Sequence, residues 1–287
     1  TTTTPIGLTD SLVIRSPNRE DPLLSCRWAY DSLDRVVADR QDEETRKFQY
    51  DDEGRVVEVV QIDGGESERY VLDANGNRVK DSRGRYQFNG LNQLKKYNNQ
   101  SAEYDGLGHM TSGPCPVGEA HYTYNGRGQL ISIRLPHAEI RYAYDAFGRR
   151  IRKEVNGVTS RYIWAGRHLL CEITEDGGNS IRRDYLNLPE RYVPLAMRER
   201  GNVHYLHPGR RAEPLYVTDQ VGEVVWKASY DGFGIADIQI NKISQPWRLA
   251  GQYYDEESGL HYSTARYYNP ELGRFLTMDP LYVEGGS

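Results

Sequence analysis

The stretch "YTYNGRGQLISI" (122–133) decides the fold, because its pattern of aromatic residues, a turn-opening residue and a glycine recurs along the chain. Asn125 can open a β-turn, since its side chain accepts a hydrogen bond from the backbone N–H two residues on. Gly128 follows three residues later, at a turn position that favours glycine. Aromatic residues alternate before the turn and apolar residues after it, which is the period-two pattern of a half-buried strand. The stretch therefore predicts a strand, a turn and a second strand.

Seven units with this plan stand in series. They occupy 28–37, 48–59, 70–80, 86–97, 102–110, 122–133 and 142–153. The residues that open their turns are Asp31, Asp51, Asp73, Asn89, Asp105, Asn125 and Asp145. Successive openers lie 16 to 22 residues apart, the length that two short strands and two turns occupy. Asp34 and Asn92 replace the glycine in two units, and both residue types tolerate a left-handed backbone. Less regular hairpins are predicted within 162–173 and 213–234.

The predicted fold is all-β. Hairpins in series should pair into one continuous antiparallel sheet, in which each unit buries its face against its neighbours. Because sheet twist has a fixed hand, such a ribbon should coil. The mean hydropathy of −0.74 and the 22 tyrosines favour thin, partly solvated layers, since a tyrosine ring carries a polar tip. A coiling ribbon of this polarity is suited to enclosing a space rather than closing a thick core.

Composition argues against several classes of partner. The formal net charge is −5, with 36 basic and 41 acidic residues well mixed, so no nucleic-acid partner is expected. No apolar run reaches the length of a membrane span. The first ten residues, "TTTTPIGLTD", have neither the basic nor the apolar region of a cleavable signal peptide.

Neither a metal nor a cofactor is expected. Cys26, Cys115 and Cys171 lie far apart, which predicts small buried thiols rather than a disulfide framework or a zinc site. His204 and His207 are close enough to approach one ion, but the sequence offers no evident third ligand.

The densest stretch is "GQYYDEESGLHYSTARYYNPELGRFLTMDP" (251–280). From 248 to 280 the chain closely resembles the core signature of the Rhs (rearrangement hot spot) family, and the Tyr-Asp-x-x-Gly series resembles that family's YD repeat. Repeat and signature together cover nearly all of 28–280. Teneurins and the C subunits of insecticidal Tc toxins share the repeat, but "YVTDQVGEVVWKASYDGFG" (216–234) resembles bacterial Rhs effectors more.

The resemblance implies a specific architecture and activity. Rhs proteins wind their repeats into a hollow β-shell that holds a toxic C-terminal domain, and the core signature plugs one end. An aspartic-protease-like site, which uses one Arg and two Asp, then cuts the toxin from the shell. Arg266 of "RYYNP" matches the family's arginine, and Asp279 of "MDP" matches the first aspartate. The second Asp-Pro of the pattern is not found in 281–287, so we expect this chain to hold an incomplete, inactive site.

Asp279 also has a simpler interpretation, because Asp before Pro commonly opens a turn. The catalytic interpretation requires a second carboxylate nearby, so that one is ionised and the other protonated. A guanidinium such as that of Arg266 would stabilise the ionised carboxylate or a developing oxyanion. The surrounding signature favours the catalytic interpretation.

Three segments are predicted: a lead-in strand segment at 1–27, a YD-repeat β-shell segment at 28–247, and a plug with an incomplete autoprotease at 248–287. The expected function is that of a shell segment in a secreted bacterial toxin used in competition, exported without a cleavable signal peptide. Type VI secretion is what the family resemblance implies. Expected partners are the C-terminal toxin domain, other shell segments or a second copy through open strand edges, and a secretion apparatus or chaperone. The alternative function is a carbohydrate-binding or cell-surface adhesion module.

Overall fold

The computed structural model describes residues 2–3, 8–15, 20–22, 24–264 and 266–279. Within these ranges the secondary structure is thirty strands, paired antiparallel, and one short 3₁₀ turn at Leu249–Gly251. The prediction of an all-β fold built from antiparallel hairpins is therefore confirmed. The expectation of one continuous sheet is wrong, because the described strands divide among five sheets; pairing is interrupted within 68–101, where the strands are only two to four residues long.

The chain forms two compact units, Thr1–Asn98 and Asn99–Ser287. The first contains β1 (Thr2–Thr3), β2 (Thr9–Ile14), β3 (Leu24–Tyr30), β4 (Val36–Gln41), β5 (Glu44–Tyr50), β6 (Val56–Gln61), β7 (Glu68–Arg69), β8 (Val71–Leu72), β9 (Arg78–Lys80), β10 (Tyr86–Phe88) and β11 (Leu94–Tyr97). Strands β1 to β7 pair in chain order as one sheet, and β8 with β9 and β10 with β11 form hairpins.

The second unit contains β12 (Gln100–Ser101), β13 (Glu103–Tyr104), β14 (Met110–Cys115), β15 (Gly118–Tyr124), β16 (Leu130–Arg134), β17 (Glu139–Tyr144), β18 (Arg150–Val155), β19 (Val158–Ala165), β20 (His168–Asp176), β21 (Asn179–Leu186), β22 (Ala196–Glu199), β23 (Asn202–Pro208), β24 (Pro214–Thr218), β25 (Val224–Tyr230), β26 (Ala236–Asn241), β27 (Tyr253–Asp255), β28 (Leu260–Ser263), β29 (Arg266–Asn269) and β30 (Arg274–Phe275). Strands β13 to β26 pair in chain order as one fourteen-stranded sheet, here called the ribbon. Strands β27 to β30 form a separate four-stranded sheet, here called the terminal sheet.

In the repeated turn, both the side chain and the backbone carbonyl of the opening residue accept hydrogen bonds, as the turn at Asp145 illustrates. One carboxylate oxygen accepts the backbone N–H groups of Phe147 and Arg149, each at 2.9 Å. The N–H of Gly148, whose φ is 83°, donates to the Asp145 carbonyl oxygen at 3.1 Å. The hydrogen bonds that define the turn therefore all lie within five residues of the chain.

The residue four positions after the opener completes each turn, a feature that the sequence analysis missed. Where the opener is an aspartate, this residue donates to the carboxylate; the pairs are Asp31–Arg35, Asp51–Arg55, Asp73–Asn77, Asp105–His109 and Asp145–Arg149. Where the opener is an asparagine, a glutamine oxygen accepts its amide; the pairs are Asn89–Gln93 and Asn125–Gln129. A carboxylate only accepts hydrogen bonds and an amide can also donate, so the partner changes with the opener.

The predicted left-handed residues are confirmed, with φ of 61° at Asp34 and 58° at Asn92. The connections that alternate with these repeated turns along the chain are shorter. Asn156 and Gly157 join β18 to β19 with φ of 49° and 86°, as in a two-residue type I′ hairpin turn. The ribbon is thus a meander in which the long repeated turn and a short turn alternate.

Gly128→Val is expected to destabilise the protein by about 1 kcal/mol or more. Gly128 has a φ of 72°, and a Cβ there would lie 2.9 Å from His109 Nε2, closer than ordinary contact. Urea unfolding of the variant would measure the change. The control is Arg127→Ala, whose exposed side chain should matter little. Equal unfolding midpoints for Gly128→Val and the parent would contradict the turn assignment.

Both the ribbon and the terminal segment contribute large, fully buried side chains to the second unit. Trp226 and Ile133 come from the ribbon, and Leu260 and Leu276 come from the terminal segment; all four are at most 1% exposed. Cys26, Cys115 and Cys171 are buried thiols, as predicted. The terminal sheet is therefore part of the core of its unit rather than an appendage.

Candidate functional site

Backbone and side-chain hydrogen bonds attach the terminal sheet to β14 of the ribbon. The N–H of Met110 donates to the carbonyl oxygen of Leu276 at 3.0 Å. The side-chain amide of Asn269, which is fully buried, donates to the carbonyl oxygen of Pro114 at 3.0 Å. These bonds join residues more than 150 positions apart, so contacts distant in sequence position the terminal sheet.

A buried charge network fixes the terminal sheet against β18. Arg150 is 1% exposed and Asp255 is fully buried, and their closest side-chain atoms, Nη1 and Oδ2, are 2.5 Å apart. The Nζ of Lys153 lies 3.4 Å from the other Asp255 oxygen and 2.8 Å from Glu257. Tyr142 donates its hydroxyl to Asp255 at 3.0 Å. Two cations from the ribbon thus face two carboxylates from the terminal sheet.

Five tyrosine rings surround the Arg150 guanidinium. Its Cζ lies between 4.5 and 6.0 Å from the ring centroids of Tyr142, Tyr162, Tyr253, Tyr262 and Tyr267. The negative face of an aromatic ring attracts a cation, and more strongly when water is excluded. The ribbon contributes two of these rings and the terminal sheet three, so the cage exists only when both sheets are in place.

Arg150 and Asp255 form a buried ion pair in which each charge neutralises the other. Burial alone would raise the pKa of Asp255, but the charges of Arg150 and Lys153 outweigh it and hold the pKa below its ordinary value. Burial alone would lower the pKa of Arg150, and the Asp255 charge reverses this shift. Both groups therefore remain ionised.

A second polar cluster ties the terminal sheet to β20 and β21. The Tyr253 hydroxyl donates to Glu172 at 2.6 Å, and the Tyr185 hydroxyl donates to the same carboxylate at 3.2 Å. Arg183 lies 3.6 Å from Glu172 and 2.6 Å from Glu199. The terminal sheet is consequently held at two places along the ribbon by charged groups that cannot be left unpaired without a large cost.

Arg266 and Asp279, the two predicted site residues, lie together. Arg266 begins β29, Asp279 follows β30 by four residues, and their Nη2 and Oδ2 atoms are 2.8 Å apart. The guanidinium also lies 3.7 Å from the ring centroid of Phe275. The two side chains are 21% and 28% exposed, so a further group could reach them from solvent. This geometry allows an arginine-stabilised carboxylate and leaves the catalytic assignment a prediction.

Sequence reasoning missed Arg150 and Asp255, although both carry a signal. Five of the seven repeat units place an apolar residue five positions after the turn opener, as at Leu130, whereas the unit at Asp145 places Arg150 there. A charge at an inward-facing position predicts a buried partner. Asp255 follows two tyrosines as a turn opener would, but its glycine, Gly259, comes four residues later instead of three.

Within the described ranges, no group of three or more His, Cys, Asp or Glu side chains could hold a metal ion. No helix in the same ranges is long and apolar enough to cross a membrane.

Several curated relatives of the chain are named as bacterial toxins or nucleases. It is 29% identical over 283 residues to double-stranded DNA deaminase toxin A of Burkholderia cenocepacia, covering 84% of this chain and 19% of that protein. It is 31% identical over 229 residues to the tRNA3(Ser)-specific nuclease WapA of Bacillus spizizenii, covering 74% of this chain and 9% of that one. Toxin protein Tse5 of Pseudomonas aeruginosa is 37% identical over 99 residues, 34% of this chain and 7% of Tse5. The chain thus spans less than a fifth of these proteins.

Solved structures share the fold. The Tc holotoxin pore of Photorhabdus luminescens matches 97% of this chain, over 17% of its own, with a TM-score of 0.65 and 13% identity. A TcdB2-TccC3 crystal structure matches 98% of this chain, over 18% of its own, with a TM-score of 0.59 and 14% identity. The family model for the Teneurin YD-shell matches residues 21–284. The predicted YD-repeat resemblance is therefore confirmed, and the chain belongs to the Teneurin YD-shell family.

Proposed function

We propose that this chain is the last part of the shell wall, with its end plug, in a secreted bacterial toxin that encloses its own C-terminal toxic domain. The observation that carries the proposal is the buried network that joins Arg150 and Lys153 of the ribbon to Asp255 and Glu257 of the terminal sheet. A plug must stay in place against whatever lies behind it, and a buried ion pair resists separation because each charge would lose its partner.

The proposal assigns Arg266 and Asp279 to half of an autoproteolytic site. Aspartic chemistry uses two carboxylates, one ionised and one protonated. The second would come from a downstream Asp-Pro of the same polypeptide, which would approach the partly exposed Arg266–Asp279 pair. Arg266 would stabilise the ionised carboxylate or the oxyanion that forms at the attacked carbonyl.

The proposed partners follow from the same role. The enclosed partner is a toxin domain encoded downstream, in keeping with relatives that are named as a deaminase toxin and a nuclease. Other shell strands would pair with the ends of the ribbon, β13 and β26, which neighbour no further strand of that sheet in the described ranges. Delivery to competing bacteria through type VI secretion belongs to this proposal.

The adhesion alternative gains no support from the tyrosines. Sugar-stacking platforms require exposed rings, whereas most tyrosines near the terminal sheet are buried; examples are Tyr142, Tyr162, Tyr253, Tyr262 and Tyr267. Their rings already contact Arg150 or one another.

The test is to express this chain together with its downstream polypeptide, through the second Asp-Pro and the domain that follows. We expect one cut after that motif, two bands on a denaturing gel, and a single peak in native size-exclusion chromatography because the freed domain stays enclosed. The present chain alone should remain uncut. An uncut extended protein would refute the protease assignment, and two separate native peaks would refute the enclosure.

A further inference from the structure

A cavity of about 700 Å³ opens between the ribbon and the terminal sheet, away from the Arg266–Asp279 pair. Strands β18 to β21 line one side, and the segment 241–248 with β27 lines the other. The volume is in the range of cavities that hold small ligands or several side chains. Its lining carries charges of both signs, so the question is which of them already have partners.

Most charged side chains in the cavity wall are paired. Lys153 is bound by Asp255 and Glu257, and Arg183 is bound by Glu172 and Glu199. Arg248 differs. Arg248 is only 4% exposed and makes no ion pair within 4 Å among the described residues, although the charge of Glu256, in the same cavity wall, acts on it at longer range. A buried charge normally has a counter-charge, because leaving water without one costs several kcal/mol.

The surroundings of Arg248 hold its guanidinium without a direct ion pair, and the nearby carboxylate of Glu256 compensates its charge only in part. Its Nη1 donates to the carbonyl oxygens of Gln245 at 2.9 Å and Trp247 at 2.8 Å. Its Cζ lies 4.4 Å from the ring centroid of Tyr254 and 5.9 Å from that of Trp226. These contacts orient the planar group and leave donors of Nε and Nη2 for another acceptor.

Arg150 and Arg248 form a natural comparison within one unit. Both guanidiniums are buried and lie over aromatic rings. The charge of Asp255 raises the pKa of Arg150, whereas at Arg248 burial outweighs the charge of Glu256 and lowers the pKa below its ordinary value. The geometry therefore describes a preorganised cation site that has no direct ion pair and is only partly compensated.

We infer that Arg248 is the anchor of a carboxylate-binding site in this cavity. The fork of a guanidinium matches the two oxygens of a carboxylate, and an ionised acceptor would compensate the buried charge. The carboxylate can come from an Asp or Glu side chain of a polypeptide in the cavity or from a free carboxylic acid. This site is inferred from Arg248 and the groups around it, and it does not depend on the proposed protease.

The experiment records the Nε–Hε NMR signals of ¹⁵N-arginine-labelled protein during titration with sodium acetate, with the blocked peptide acetyl-Gly-Asp-Gly-amide, or with sodium chloride at matched ionic strength. Arg248→Lys identifies the Arg248 signal by its loss. We expect this signal to shift saturably with both carboxylates and not with chloride. Tighter binding of the peptide would indicate a polypeptide source, and equal binding would indicate a free acid.

Two further measurements test whether Arg248 is the side chain that binds the carboxylate. Carboxylate should raise the thermal midpoint of the parent protein by ligand linkage. Arg248→Lys keeps the charge but loses the fork, and should weaken the binding that this midpoint reports by roughly tenfold or more. Lys242→Met, which removes an exposed cation of the same cavity, should leave the carboxylate binding unchanged.

The inference is overturned if the Arg248 signal responds to carboxylates no more than to chloride. It is also overturned if Lys242→Met weakens binding as much as Arg248→Lys, because any cavity cation would then suffice. If Arg248→Lys does not fold, Arg248→Gln takes its place, both to identify the Arg248 signal and to measure the loss of binding.

Discussion

Replacing Asp255 with Asn is expected to lower the free energy of unfolding by about 3 to 5 kcal/mol, the cost of breaking a buried ion pair on one side. The variant keeps the shape of the side chain and removes only its charge. Arg150 would keep its ring contacts but lose its one buried counter-charge, and Lys153 would retain only Glu257. The terminal sheet should detach first, because this network crosses from it to the ribbon.

Urea unfolding and limited proteolysis of the segment 241–252 would measure these two effects. The matched control is Glu154→Gln, which removes a partly exposed carboxylate that pairs with Arg152 on the same strand as Arg150. A surface pair contributes little, so its change should stay below about 1 kcal/mol. Arg150→Met combined with Asp255→Leu should recover much of the stability, because neither charge is then left alone. Equal losses for Asp255→Asn and Glu154→Gln would contradict the role of the network.

The same carboxylate makes stability depend on acid. The folded-state pKa of Asp255 is below its ordinary value, so its contribution is complete above the unfolded pKa of about 3.9. That contribution is lost as the pH falls below that value and through the folded pKa. Asp255→Asn should remove this part of the acid dependence.

Asp279→Asn in the extended protein is expected to slow self-cleavage by about a hundredfold or more, since it removes an ionisable group from acid–base chemistry. Asn keeps the shape of the side chain and a hydrogen bond to Arg266, so the terminal sheet should keep its fold. Arg266→Ala should slow the cut as well, because it removes the cation that lies 2.8 Å from Asp279. Time courses on denaturing gels measure both rates.

The control for this prediction is Asp237→Asn, on the exposed strand β26, which should cleave at the parent rate. Circular dichroism of each variant tests whether the fold is kept. If Asp279→Asn cleaves as fast as the parent, Asp279 is a turn residue before Pro280, which was the simpler interpretation of the sequence.

The local structure of the repeats could be predicted in detail because it depends on neighbours in sequence. The opener and the glycine three positions on, as at Asn125 and Gly128, make a turn from hydrogen bonds within five residues. The pairing of Asn125 with Gln129 was equally local and could have been found by comparing the units with one another. The proximity of Arg266 and Asp279 in space could only be expected from the family resemblance.

The sequence by itself determined the turns, the alternation of the strands, the left-handed backbone at Asp34 and Asn92, and the antiparallel ribbon, because short-range hydrogen bonds and residue geometry decide these features. The tertiary structure alone decided that Asp255 neutralises Arg150 and that Arg248 makes no such ion pair with any residue the structure describes. These pairings join strands about a hundred residues apart, and their strength comes from the removal of water, which no local pattern records. The position of a charge in a pattern predicts that it needs a partner, and only the packed sheets determine which one it receives.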